Sequence, residues 1–424
     1  MAKLGFSQVD ITPPIGTTLS GYECERISEG VHDELFARTL LIDFEGELFC
    51  IVQMDLIGID EHFIEKIFHR VKDLGIKKDN LIACTTHTHS GPKGIFDETS
   101  ILDEESFGFY NYELVSDYVN KVEKCIRAAF DDMMPLERME VGSSYVQGIG
   151  SERHVNTEGD GRVFAMKLIR EDGKKVLLYN FSCHPTILHH DNLLISSDLP
   201  YGVLKYFGNS YDMIMFTNGS AGDISTRFTR QSTTFEEVDR IGKELGKAIE
   251  NAIKDPIYSG SINYFKTKRY RVSLKFRDIH SVEEANRRHL DAIKKVEEAK
   301  IANLPPSEMR LVESLFEGTS RDLKIAKTMK RREYLELEIN IFRINDWNFI
   351  TIPGEIFSNL SKPIREADNN IILGYTNGYY LYFPDEKAWE KNYYEASSSY
   401  VKKGEGERLV SIILSKLNED FSNN

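Results

Sequence analysis

The sequence is poor in cysteine and has no long apolar run, and both absences narrow the class of protein. Its 5 cysteines are scattered and form no CxxC pair, which argues against a disulfide framework and a thiolate zinc site. No window approaches the roughly 18 apolar residues that a membrane span needs, and the N-terminus lacks the apolar stretch of a signal peptide. We therefore expect a soluble, cytoplasmic protein with no stable membrane insertion.

Positive charge is also in short supply. The chain has 53 Lys and Arg against 67 Asp and Glu, a formal net charge of −14. Such a surface repels phosphate backbones, so no nucleic-acid partner is expected. The 424 residues, 41% of them hydrophobic, suffice for a core with a catalytic cleft. Because no linker or repeat divides them, we predict one domain over residues 1–424.

Strand-like apolar runs alternate with helical patterns along the chain. Residues 48–54 and 81–85 read as strands on either side of an amphipathic stretch at 61–75, which is a βαβ pattern. Further strands are predicted at FAMKLI, VLLYNFS, DMIMFTN, LEINIFRI, WNFITIP and NIILGYT, and helices at EEVDRIGKELGKAIENAI and GERLVSIILSKL. The predicted fold class is α/β, a mixed β-sheet core covered by helices.

One segment stands apart from this alternation. Residues 281–333 are highly charged with helical periodicity, and Pro305 and Pro306 interrupt them. The pattern predicts a helical hairpin insertion that projects from the sheet. A lid over a cleft is the alternative.

Several predicted strands run directly into short polar loops. These loops occupy residues 86–92, 184–185, 217–223 and 353–355. In open α/β sheets, ligands gather at the carboxyl ends of strands, so we expect the four loops to converge on one pocket.

The histidines of these loops suggest a metal. His87 and His89 lie two apart, a spacing that places both rings on one side of an extended segment. Imidazole is a preferred zinc ligand, a catalytic zinc takes about three protein ligands, and Glu355 would add a carboxylate. Taken singly, the HxH motif is a polar loop and His184 caps a strand. Their joint position at strand ends favours a metal site.

The NGSAGD segment allows two interpretations. Its glycines would let backbone amides surround an anion or oxyanion, with Gly219, Ser220 and Asp223 forming a substrate loop and Ser220 a nucleophile. The segment is not a GxSxG elbow, and no spacing ties Ser220 to a base. A tight turn, with Asp223 as a turn or helix-cap residue, is therefore the favoured interpretation.

Aromatic residues are dense near the end of the chain. Such density predicts the wall of a core or cleft, in which a phenol can also ligate a metal or donate a hydrogen bond to its surroundings. The residues are Tyr375, Tyr379, Tyr380, Tyr382, Trp389, Tyr393, Tyr394 and Tyr400.

Taken in order, these motifs resemble the neutral/alkaline (non-lysosomal) ceramidase family, in a short bacterial-type form. The motifs that carry the likeness are DITPPIG, SGY, HDELFAR, THTHSGP, SCHPTILHHDNLLISSDLP, NGSAGD, PGE and NGYYLYFPDEKAWEKNYYEASS. The resemblance implies a ceramidase catalytic-domain-like fold. It also implies a zinc-dependent amidase of sphingolipid metabolism that cleaves the N-acyl bond of ceramide-like lipids.

The resemblance also implies roles for individual residues. One Zn²⁺ per chain would be held by His87, His184, Glu355 and Tyr382. His89, Arg153 and Tyr394 would lie beside water and substrate as oxyanion or proton-transfer groups. Without the family, Arg153 reads as a surface ion-pair residue and Tyr394 as a packing residue.

Two departures from the family pattern widen the range of substrates. Gly219 and Ser220 stand where other members have serine and asparagine, which argues against a serine-dependent step. The sequence also stops soon after its final predicted helix, so we expect no C-terminal immunoglobulin-like domain of the kind that other members have. A small soluble N-acyl compound and a lipid-like one are therefore both expected substrates.

Two alternative functions stay open: a zinc hydrolase of an ester or glycosidic linkage, and a non-catalytic metal- or ligand-binding relative. The metal's identity and a homo-oligomeric state stay open.

Overall fold

The computed structural model describes residues 2–329, 332–367 and 369–421. The strands are β1 Lys3–Asp10, β2 Gly30–Val31, β3 Phe36–Phe44, β4 Glu47–Met54, β5 Leu81–Thr85, β6 Met134–Tyr145, β7 Ser151–Glu152, β8 Arg162–Arg170, β9 Lys175–Phe181, β10 Leu194–Ile195, β11 Met213–Asn218, β12 Ile224–Ser225, β13 Tyr258–Gly260, β14 Phe265–Lys275, β15 Tyr334–Ile344, β16 Trp347–Thr351, β17 Glu355–Ile356, β18 Asn370–Leu373 and β19 Tyr382–Phe383. The helices are α1 Glu61–Val71, α2 Glu104–Phe107, α3 Tyr112–Asp131, α4 Leu199–Phe207, α5 Phe235–Lys254, α6 Val282–Ile301, α7 Pro306–Thr328, α8 Ser358–Arg365, α9 Glu386–Glu390, α10 Tyr394–Ser398 and α11 Glu405–Asp420. None of the described helices combines the length and the apolar character that a membrane crossing needs.

The largest sheet of the described residues runs in the order β11-β9-β8-β6-β1-β3-β4-β5, with β13 beside β6. Strands β4 and β5 are parallel with α1 between them, so the predicted βαβ unit is confirmed. Strand β1 meets β6 through two residue pairs, Lys3 with Pro135 and Leu4 with Met134. Strand β11 at one end of the sheet contacts β4 and β5 at the other.

A second sheet, in the order β14-β15-β16-β18, packs face to face against the first. Phe49 of β4 lies 4.6 Å from Phe342 of β15, and Phe164 of β8 lies 5.7 Å from Phe349 of β16, both between ring centroids. Fully burying such a side chain contributes about 1.5–3 kcal/mol, so the apolar layer between the sheets is a main source of stability. The predicted mixed sheet core is confirmed, with two sheets instead of one.

Helices cover the outer faces of both sheets. Helix α3 packs on β1 and β3, α5 packs on β6 and β8, and α11 packs on β14. Helix α1 shows why these segments are helical: Phe63, Ile67 and Val71 are buried along one face, and the Asp60 side chain caps the first turn by accepting from the Phe63 N–H. The α/β class predicted from the periodicity is therefore confirmed.

Two helices, α6 and α7, occupy the segment predicted as a helical hairpin. Ser281 caps α6 by accepting a bond from the Glu284 N–H at 3.2 Å. Helix α7 begins at Pro306, where the missing N–H of proline leaves no helical bond unmade. The hairpin is tied to the body, because Asp322 of α7 accepts a bond from the Arg277 guanidinium at 2.6 Å. Helices α6 and α7 pack against each other, which confirms the predicted helical hairpin, and α7 also packs against α10.

Candidate metal centre

The loop after β5 carries His87 in a conformation that its neighbours fix. His87 has φ of 67°, a left-handed conformation that is unfavourable for a non-glycine residue. Its N–H donates to the Leu56 carbonyl at 2.9 Å, and its ring stacks on Tyr375 at 4.1 Å between centroids. Its Nδ1 lies 2.7 Å from the Ile57 carbonyl. Nδ1–H therefore donates there, which leaves the Nε2 lone pair available to a ligand.

His184, which follows β9, is held in the same way. Its backbone N–H donates to the Ile224 carbonyl at 3.0 Å. Its Nδ1 lies 2.5 Å from the Ala221 carbonyl and 3.2 Å from that of Ile224. Backbone carbonyls accept hydrogen bonds only, so Nδ1 carries the proton and Nε2 the lone pair. Two histidines distant in sequence thus present the same ring nitrogen.

These nitrogens converge on one point. The ligand atoms of His87, His89 and His184 lie within 4.8 Å of one another. Glu355 Oε2 lies 2.8 Å from His184 Nε2 and 3.6 Å from His87 Nε2, while His89 Nε2 lies 3.3 Å from His87 Nε2. Glu355 stands directly across from Tyr382 in the β17–β19 pair. The loops that follow β5 and β9 and the strands β17 and β19 therefore meet at one site.

The contact between His184 and Glu355 has neither a shared proton nor a positive charge to stabilise it. Although Nε2 and Oε2 are 2.8 Å apart, Nε2 has no hydrogen-bond partner among the described residues. A lone pair on nitrogen thus faces a lone pair on oxygen. Burial lowers the pKa of His87 to about 3 and that of His184 and His89 well below the usual range, so protonation does not relieve the contact. A divalent cation between these donors does, and the residues present therefore fit a metal.

Two tyrosines hold the Glu355 carboxylate. The Tyr379 hydroxyl donates to Oε1 at 2.5 Å, and the Tyr375 hydroxyl reaches Oε2 at 3.5 Å. All three side chains are buried. Burial, reinforced by the Glu355 charge, raises the pKa of both phenols well above the usual range, so both stay donors. Outer hydrogen bonds of this kind orient metal ligands.

Arg153 and Tyr382 lie beside the cluster. Arg153 Nη1 lies 3.4 Å from the Tyr382 hydroxyl, 3.4 Å from Glu395 Oε1 and 3.5 Å from the Gly222 carbonyl. The Tyr394 ring lies 6.0 Å from that of Tyr382. Arg153 is therefore buried against the site, in contrast to a surface ion-pair residue.

Sequence reasoning missed the pair His154 and Glu395. His154 Nε2 donates to Glu395 Oε2 at 2.8 Å, and its ring stacks on Tyr393 at 3.6 Å. Burial opposes ionisation of Glu395, but His154 and Arg153 outweigh it and lower the pKa of this carboxyl to about 2. The only available signal was adjacency, because His154 follows Arg153 and Glu395 follows Tyr394 in the chain.

Two connected cavities form the cleft over the cluster. One has a volume of about 120 Å³ and the other about 70 Å³. The residues that line both are Gly21, Tyr22, Glu23, His89, Tyr382 and Tyr394. The larger cavity also contacts Arg153, and the smaller one contacts His87 and Glu355. The cleft therefore opens directly onto the proposed ligands.

The NGSAGD segment lies next to this cleft but does not line it. A Cβ at Gly219 would lie 2.2 Å from Ser182 Oγ, so a side chain does not fit. The Ser220 N–H donates to Ser182 Oγ at 3.0 Å, and its buried hydroxyl has no partner among the described residues. Asp223 accepts from the Ser358 N–H at 2.7 Å at the start of α8, the geometry of a helix cap.

The chain is similar to known proteins in part of its sequence and in its fold. Residues 3–207 match the family model described as neutral/alkaline non-lysosomal ceramidase, N-terminal. Neutral ceramidase A of Dictyostelium discoideum is 26% identical over 216 residues, which cover 46% of this chain and 30% of that protein. The crystal structure of neutral ceramidase from Pseudomonas aeruginosa matches with a TM-score of 0.78 at 18% identity, over 99% of this chain and 74% of that one. A ceramidase complexed with C2 matches with a TM-score of 0.75 at 17% identity, over 99% of this chain and 75% of that one.

The fold is thus that of the neutral ceramidase structures, and a buried histidine cluster able to hold a metal lies within it. The predicted family resemblance is confirmed: residues 3–207 of this chain match the model of the neutral/alkaline non-lysosomal ceramidase family. The aligned segment spans 30% of the length of the curated relative.

Proposed function

We propose that this protein is a zinc-dependent hydrolase of an N-acyl amide bond, with His87, His184, Glu355 and Tyr382 as the residues that would hold one Zn²⁺. The observation that supports it most is the approach of His184 Nε2 to Glu355 Oε2 at 2.8 Å without a shared proton. His89 is the remaining imidazole of the cluster and lines both parts of the cleft.

A zinc ion bound there supplies a Lewis acid for the amide carbonyl and lowers the pKa of water. The protein supplies the rest. His89 is partly buried and neutral, so its ring can accept a proton and return it to the leaving amine. Arg153 stays cationic and faces the cleft, where it can stabilise a developing oxyanion. Burial raises the pKa of Tyr394 above the usual range, so its hydroxyl is a donor.

The choice of bond rests on the family rather than on the cluster. Relatives named as neutral ceramidases support an amide and make a ceramide-like lipid one candidate substrate. The same donors would serve an ester or a glycosidic linkage, because the walls of a pocket and not its metal select the substrate.

Metal removal tests the proposal directly. Elemental analysis of the purified chain should find about one metal ion per chain, and chelation should abolish hydrolysis of an N-acyl panel that runs from N-acetyl amides to a long-chain ceramide. Zinc should restore activity, with Mn²⁺ and Fe²⁺ as comparison ions. Hydrolysis by a metal-free preparation, or products of ester or glycoside cleavage alone, would overturn the proposal.

A further inference from the structure

The larger part of the cleft is unusually rich in arginine. Arg153, Arg227 and Arg230 all line this cavity of about 120 Å³, together with Thr186 and Ser225. We call it the arginine lobe. Its polar lining of guanidinium groups, hydroxyls and carboxylates is a poor environment for an alkyl chain, and the side that carries the guanidinium groups is a good one for an anionic oxygen group.

The arginine lobe is built on a fixed frame next to the metal centre. Strands β7 and β12 pair in it, with Ser151 opposite Ser225, and Ser225 also bridges to His184. The Arg227 guanidinium donates to the Arg153 carbonyl at 3.3 Å, and that of Arg230 donates to the Thr186 carbonyl. The guanidinium positions are therefore set by backbone contacts of the same segments that carry the metal ligand.

Acidic residues also face the arginine lobe, from other elements. Glu395 is already held by His154 and Arg153, and Glu23 lies 3.5 Å from the Lys324 ammonium. Glu317 faces the cavity from α7. The arginines come from the β7 and β12 segments and the carboxylates from the remaining walls. An anion would consequently bind on the β12 side.

The smaller part of the cleft has a different character. It measures about 70 Å³ and is lined by Ile57, Phe107, Tyr379 and Leu381 beside the metal ligands. We call it the aromatic lobe. A dry cavity of roughly 150 Å³ holds one benzene molecule. The aromatic lobe is smaller than that, so it accepts a short acyl group. The two lobes meet at His89 and Tyr382, where the scissile carbonyl would lie.

We infer that the substrate is a short-chain N-acyl amide whose amine half carries an anionic oxygen group, a carboxylate or a phosphate, that binds Arg227 and Arg230. This inference rests on the proposed amide hydrolysis. The acyl group lies in the aromatic lobe and the anionic amine half in the arginine lobe.

A matched set of four amides tests it on the full-length, metal-loaded protein. N-acetyl-L-serine and N-acetylserinol differ only by a carboxylate in place of a hydroxymethyl group, N-acetylserinol phosphate carries the other anion, and a long-chain ceramide is the lipid arm. We expect kcat/KM for one or both anionic amides to exceed that for N-acetylserinol at least about tenfold. The better of the two identifies the anion.

Substitution then assigns the preference to the arginine lobe. Arg230→Gln and Arg227→Gln should each raise KM for the preferred anionic amide about tenfold. The ratio of its kcat/KM to that of N-acetylserinol should then fall toward one. Arg230→Lys should keep part of this preference. Arg271→Gln, at an exposed arginine of β14, is the control and should change none of these values. Equal losses on charged and neutral amides would overturn the inference.

The remaining outcomes separate the inference from the function on which it rests. Hydrolysis of N-acetylserinol or ceramide as fast as the anionic amides would overturn the inference and leave the proposed function standing. If none of the four amides is hydrolysed, the proposed function fails. A binding measurement then tests whether the arginine lobe is an anion site. A rise in Tm with N-acetyl-L-serine that Arg230→Gln abolishes would support an anion site, and no rise would overturn it.

Discussion

The metal centre and the α6–α7 hairpin face the same cleft but are built in different ways. His87, His184 and Glu355 are at most 1% exposed, and each is fixed by bonds to other segments of the chain. The hairpin contributes Ser314, Glu317 and Arg321 to the cleft from the single helix α7. Elsewhere it exposes apolar side chains such as Leu290 and Ile301.

This difference separates chemistry from selectivity. A metal tolerates little error in the position of its ligands, and the residues proposed to hold it come from segments locked together in the core. A covering helix needs only to place a few side chains near the substrate. We therefore expect changes at the centre to abolish function and changes on the hairpin to adjust it.

The largest effect should come from His184→Ala. Removing a buried ligand should cost most of the bound metal and lower kcat/KM by at least about 100-fold, more than loss of an outer hydrogen bond does. Elemental analysis and steady-state kinetics provide the measurement. His69→Ala, at an exposed ring on α1, is the control and should keep both metal and activity. A fully loaded His184→Ala would refute the ligand assignment.

Tyr379→Phe should have the next largest effect. Loss of the 2.5 Å bond to Glu355 frees the carboxylate to rotate, and we expect the metal Kd to rise about 10–100-fold. Tyr375→Phe is the matched comparison, because its hydroxyl is 3.5 Å away and should matter less. Competition with a chelator gives both constants. Equal effects would show that distance to the carboxylate does not decide the outcome.

Glu395→Gln tests whether the charges beside the centre stabilise the fold. The pKa of Glu395 falls from 4.5 to about 2, so its contribution to stability is complete above about pH 4.5 and is lost as the pH falls toward 2. At most about 3 kcal/mol is involved. Denaturant unfolding between pH 5 and 3 should show a steeper loss in the wild type than in the variant. Glu366→Gln, at an exposed carboxyl, should keep the wild-type slope.

The smallest effect is expected on the hairpin. Glu317→Gln should leave the metal content unchanged, alter kcat/KM less than about tenfold and shift the free energy of unfolding within about 0.5 kcal/mol. Metal analysis, kinetics and denaturant titration on one preparation check all three. Loss of metal in Glu317→Gln would contradict the expected difference between the metal centre and the α6–α7 hairpin.

Much of the local structure was predictable because it depends on spacing. The continuous apolar run of β4 and the period of 3.6 in α1 identified the βαβ unit, and the helical charge pattern identified α6 and α7. The packing of two sheets was not predicted, because each strand shows its apolar residues without showing what covers them.

The residues of the candidate site were also only partly predictable from the sequence. His87, His89 and Glu355 were visible as polar residues after apolar runs. The bond between His154 and Glu395, which joins residues 241 positions apart, was not. Nor was the arginine lobe, since Arg227 and Arg230 occupy a segment that has no pattern of its own in the sequence.

By itself, the sequence determined the α/β class, the order of the family motifs and the residues able to ligate a metal, because these follow from residue type and local spacing. Only the tertiary structure decided which ring nitrogen each histidine presents, which tyrosine holds the carboxylate and which charges line the cleft. Those properties depend on hydrogen bonds and burial between segments that are far apart in the chain.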